Sequence, residues 1–142
     1  MNIKEFLSQA RYLDMRIDSK ISQVASLNDL ATKCTSVITG MPSTPSRSKS
    51  TMADTVNKIV DLENEIRCDI DNLFKVKEDI MKVVNGVKKL EYRIILERRY
   101  LAFQNWENIA VELGYELSWL YKLHGKALQE ADKVYRELEI SD

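Results

Sequence analysis

Apolar residues recur at steps of three and four, or their sum, along the opening of the chain: Ile3, Leu7, Ala10, Leu13, Ile17, Ile21, Val24, Ala31, Cys34 and Ile38. That is the period of one helix face. Arg11, Arg16, Asp18 and Lys20 fall on other faces, and neither Gly nor Pro interrupts the run. A second ladder is stricter: Met52, Val56, Ile59, Glu63, Ile66, Ile70, Leu73, Lys77, Ile80, Val84, Val87. All but Glu63 and Lys77 are apolar, which is the seam of a coiled coil. Val60, Leu62, Phe74, Val76, Met81 and Val83 broaden that seam into a second apolar face.

Between the ladders lies GMPSTPSRSKST, residues 40–51, a serine-rich stretch with both prolines of the chain. Pro42 and Pro45 do not continue a helix, so the stretch reads as a flexible polar connector. Its Arg47 and Lys49 are able to touch a phosphate, but a solvated loop is the simpler reading. Thr51-Met-Ala-Asp54 fits a capping box at the start of the second helix. The pattern therefore predicts two helical arms at about residues 2–38 and 52–88, folded as a long antiparallel hairpin. Each arm would be about 50 Å long and unstable alone. The second apolar face then asks for the C-terminal domain or another copy of the chain, and a dimer is expected.

The pattern changes near Lys89. LEYRIILERRYLAF is amphipathic through Leu90, Ile94, Ile95, Leu101 and Phe103. Asn105 is a good N-cap for WENIAVELG, which ends at Gly114, and a last helix starts near Leu117. The spacing counted from Trp106 is specific. Ala110, small, stands where two helices would cross; Gly114 stands where a turn wants positive φ. Ile109, Leu113, Tyr115, Leu120 and Leu123 occupy the apolar positions. This is the spacing of a helix-turn-helix, whose second helix lies in the major groove. The expected fold is all-α, with an arm of residues 1–88 and a helix-turn-helix domain of residues 89–142.

What the core does not use defines an outward face on the last helix: Glu116, Ser118, Trp119, Tyr121, Lys122, Gly125, Lys126 and Gln129. Ser118, Lys122 and Gln129 can hydrogen-bond base edges or phosphates. Lys126 and His124 are expected phosphate contacts, Gly125 admits a backbone closely, and Arg98 and Arg99 add charge from the preceding helix. Residues 117–128 hold two lysines and no acid, while Glu107, Glu112, Glu116, Glu130 and Asp132 surround them. The same face also suits a unit that binds protein, and the exposed Trp119 is its argument. Trp106 reads as a core anchor.

Composition removes other classes. The net charge of −1 is uninformative, because a local patch decides DNA binding. No apolar run is long enough to span a membrane, and the N-terminus lacks the apolar core of a signal peptide, so a cytoplasmic protein is expected. Cys34 and Cys68, without a CxxC and with one histidine, make no zinc site and read as buried apolar residues. No nucleophile set, phosphate-binding glycine loop or metal spacing argues for an enzyme, and no cofactor is expected.

Residues 91–128, EYRIILERRYLAFQNWENIAVELGYELSWLYKLHGKAL, resemble region 4 of sigma-70-type factors. The whole chain resembles a family of small phage and prophage proteins of Gram-positive bacteria. There a GMP-containing connector, a MADxVxKIVDLExEI segment and a WxxxA…LGY…HGxAL ending occur together; here they read GMPSTPSRSKS, MADTVNKIVDLENEI and residues 106–128. The resemblance implies a transcription regulator of phage or mobile-element genes, acting on double-stranded DNA in the bacterial host. Nothing resembles sigma region 2, and YELSW stands where region 4 usually carries arginines and a Ser or Thr cap. Two alternatives stay open: a module that docks on the RNA polymerase core, and a DNA-packaging component like a small terminase subunit.

Overall fold

The computed structural model describes residues 1–40 and 45–138, with side chains for residues 1–33 and 52–138. The regular structure of the described residues is all helical, with no strand among them. Helix α1 spans Ile3–Gly40 and α2 spans Pro45–Gly86; α3, Leu90–Leu96, runs directly into a π-helical turn, Glu97–Leu101. Helices α4, Trp106–Leu113, and α5, Leu117–Glu137, follow. No helix among the described residues is long and apolar enough to cross a membrane.

Helix α2 begins at Pro45, inside the stretch expected to be a flexible connector. Proline is suited to the first turn of a helix, where its missing N–H has no partner to lose, so this proline opens the helix instead of preventing it. Thr51-Met-Ala-Asp54 consequently lies within α2 and not at its start. Residues 41–44 lie outside the described part, as do the side chains of Cys34, Ile38, Arg47 and Lys49.

The chain forms two compact units: Met1–Leu13 together with the chain from Leu73 onward, and Asp14–Asn72. The first unit thus takes in both the first turns of α1 and the last turns of α2, beyond the segment from residue 89. Its main core joins Phe6, Leu7 and Ala10 of α1 to Ile80, Val83 and Val84 near the end of α2 and Val87 just after it. Leu96, Tyr100, Ala127, Ala131 and Tyr135 complete it. Gly86 is there for closeness: a Cβ on it would lie 2.5 Å from Val134 Cγ1 of α5. A second cluster holds Ile95, Ile109, Ala110, Leu120 and Leu123, with Trp106, Leu113 and Tyr115 packed against it.

In the second unit Ile17 is buried, and Lys20 Nζ meets Asp69 Oδ2 at 2.6 Å with both side chains largely enclosed. Higher on the ladder Val56 and Ile70 are exposed, as are Val60 and Phe74 of the second set. Cys68 is exposed, against the expectation of a buried thiol. It sits between the seam positions Ile66 and Ile70 and so points off the seam.

The π-turn shifts the phase of the segment after Lys89. Ala102 N–H donates to Glu97 O at 3.0 Å, five residues back, and Gln104 N–H to Arg98 O at 3.0 Å. The wider turn buries Leu96 and Tyr100, while Leu90, expected in the core, is exposed. Phe103 then takes φ 58, in the left-handed region that a bulky residue rarely adopts. Lys77 Nζ lies 4.8 Å over the Phe103 ring and donates to Leu101 O at 3.3 Å.

Candidate functional site

Three local devices hold α4 and α5. Asn105 caps α4, its side-chain oxygen accepting from Asn108 N–H at 2.8 Å. That satisfies one of the otherwise orphaned donors of the first turn. Gly114 ends α4 with φ 74 and ψ 29, and Tyr115 N–H donates back to Ala110 O at 3.0 Å. This is the left-handed cap that glycine takes without a steric penalty. The small Ala110 is buried beside Leu120 and Leu123, so α5 packs closely on α4.

With that side buried, Ser118, Trp119, Tyr121, Lys122, Gly125, Lys126 and Gln129 of α5 are all exposed, as is Glu116 before its first turn. Lys122 and Lys126 have no carboxylate partner among the described residues. Lys126 Nζ stands 6.0 Å from the Trp119 ring centre, at the edge of cation–π range. The nearby acids are partly occupied elsewhere: Glu112 pairs with Arg98, Glu130 with Lys133 at 3.3 Å, and Asp132 with Arg136 at 3.1 Å.

Three residues assigned from the sequence are placed differently. His124, expected at a phosphate, is half-buried and turns inward. Its Nε2 shares a hydrogen bond with the Tyr100 hydroxyl at 2.7 Å, and its ring meets Trp106 at 4.4 Å between centres. Burial, then the charges of Lys4 and Arg99, lower its pKa from 6.5 to about 4. The imidazole is therefore neutral at physiological pH and offers no positive charge. Tyr100 opposite is pushed up to about 12 by burial, partly offset by Arg99, so its phenol stays protonated. Arg98 spends its charge on Glu112. Arg99 lies over the Trp106 ring at 4.7 Å and donates to Gln104 O at 3.0 Å.

Lys4, Ser8, Arg11 and Tyr12 of α1 come to the same place as Arg99, Trp106 and His124. By sequence pattern alone the four α1 residues belong to an arm. The signal was present in the spacing, because positions 4, 8 and 11 share one helix face. No family model, curated protein or solved structure matches this chain.

Proposed function

We propose that the chain is a DNA-binding transcription regulator of phage or mobile-element genes, with α4 and α5 as its helix-turn-helix and α5 as the helix that enters the major groove. One observation carries the reading. Ser118, Trp119, Tyr121, Lys122, Gly125, Lys126 and Gln129 of α5 all face solvent, and the two lysines among them have no carboxylate partner among the described residues, on a support fixed by Asn105, Ala110 and Gly114. Ser118, Lys122 and Gln129 then read base edges. Lys126 neutralises a phosphate, Gly125 admits the backbone, and Trp119 and Tyr121 add apolar contact. The resemblance to sigma region 4 and to the phage family supports the same assignment.

Self-association as a dimer belongs to this reading. Val56, Val60, Ile70 and Phe74 of α2 are exposed in the single chain, and a second copy would cover them. Two readers in a dimer would meet half-sites about one helical turn apart. Enrichment of duplexes from a random pool, with the mass in solution measured alongside, tests both parts. A twofold-symmetric motif and a dimer mass are expected.

A second reading has its own observation. Val111 of α4 is 82% exposed, and Trp119 and Tyr121 leave further apolar surface. Such a surface suits docking on a protein such as the RNA polymerase core. No enriched motif, together with co-elution with that enzyme, would favour it.

A further inference from the structure

A cleft of about 220 Å³ opens in the first compact unit, walled by α1, the π-turn, and residues of α4 and α5. Lys4 and Arg11 of α1 and Arg99 of the π-turn bring three cations to it, and no carboxylate lines it. Lys4 has no ion-pair partner among the described residues. Ser8, one turn after Lys4, adds a hydroxyl.

The two guanidinium groups are held by one strained turn. Phe103, at φ 58, and Gln104 aim their carbonyls at them: Arg11 Nη1 donates to Phe103 O at 3.2 Å, and Arg99 Nη1 to Gln104 O at 3.0 Å. Backbone strain of this kind persists only where the surroundings impose it, and it concentrates at functional sites. A guanidinium carries five N–H donors, so each keeps others for a ligand. The volume limits what fits. It is smaller than the roughly 300 Å³ at the low end of small-molecule pockets, so the cleft suits a single oxyanion head group.

We propose that this cleft binds a phosphate-class oxyanion, with Lys4, Arg11 and Arg99 donating charge-assisted hydrogen bonds and Ser8 its hydroxyl. The phosphoryl group comes either from a small phosphorylated molecule or from a duplex backbone. The second source rests on the proposed function: Tyr121 of the outward α5 face meets Trp106 of the cleft edge-on at 5.7 Å, so cleft and face adjoin.

The test has two arms on the full chain. In the first, Trp119→Phe leaves Trp106 as the sole tryptophan, and inorganic phosphate and pyrophosphate are titrated at fixed ionic strength against chloride. Saturable change in Trp106 emission, weakened about tenfold by Lys4→Gln, is expected if the source is a free molecule. In the second arm, with Trp119 restored, Lys4→Gln lowers duplex affinity and reduces the log–log salt slope by about one if the source is the backbone. Lys4 is exposed and has no ion-pair partner among the described residues, so the variant should keep its helical circular dichroism and melting midpoint. Responses to both anions indistinguishable from chloride, with duplex affinity and salt slope unchanged or duplex binding absent, would overturn the proposal. A protein that binds pyrophosphate but no duplex would retain the cleft and refute the DNA reading alone.

Discussion

Lowering the pH should destabilise the first compact unit through one identifiable group, His124. Burial of the imidazole between Tyr100 and Trp106, and then the charges of Lys4 and Arg99, hold its pKa at about 4 against an ordinary 6.5. The unfolded chain therefore binds this proton more readily than the folded one. Stability from keeping the ring neutral is complete above the ordinary value of 6.5 and is lost as pH falls toward 4. The full difference corresponds to at most about 3 kcal/mol. The ring is only half-buried, so solvent screening reduces this to about 1–2 kcal/mol. The chain has a single histidine, so its imidazole NMR signal is unambiguous. Denaturant unfolding of the parent and of His124→Gln, at neutral pH and near pH 4.5, isolates the effect from the carboxylates, which both proteins share. The parent should lose about 1–2 kcal/mol more than the variant over that interval. An imidazole titrating at its ordinary value in the folded protein, or identical acid losses in both, would refute the reasoning.

Gly114→Ala should cost about 1–2 kcal/mol in chemical unfolding, because φ 74 is strained for a Cβ although open space surrounds it; Gly114→Asn should cost less. Gly86→Ala, with its Cβ 2.5 Å from Val134 Cγ1, should destabilise by about 1–3 kcal/mol, and adding Val134→Ala should recover part of that. Asp69→Ala strands the enclosed Lys20 ammonium and should cost about 3 kcal/mol, whereas replacing Lys20 and Asp69 together by Met and Leu should be near neutral in the same assay.

The α4–α5 unit was legible because each device is local. An asparagine at the cap, an alanine at the crossing and a glycine at the turn each act within a few residues, and apolar spacing identified Ile109, Leu120 and Leu123 as core. The arms were legible as helices for the same reason, from unbroken periodicity. Where α2 begins was not, since Pro45 reads as a breaker unless its place in the first turn is known. The π-turn has no residue signature, because a bond to the fifth residue back depends on packing around Leu96 and Tyr100 and not on local propensity. His124 was misplaced because it borders the exposed arc of α5, and only the opposing Tyr100 and Trp106 draw it inward. The cleft escaped because its walls are distant in sequence: Arg11 meets Phe103 only through the tertiary fold.

That α5 reads DNA is tested most directly by equilibrium binding of the chain to its best enriched duplex across a salt series, beside Lys122→Ala and Lys126→Ala. Lys126→Ala should weaken binding to all duplexes and reduce the salt slope by about one, as loss of a phosphate contact does. Lys122→Ala should cost about 1–3 kcal/mol on the preferred site and relax its sequence preference. Both residues are exposed, so folding should be unaffected. A folded double variant that binds the same duplex as tightly as the parent, with the same salt slope, would contradict the assignment of α5 as the reading helix.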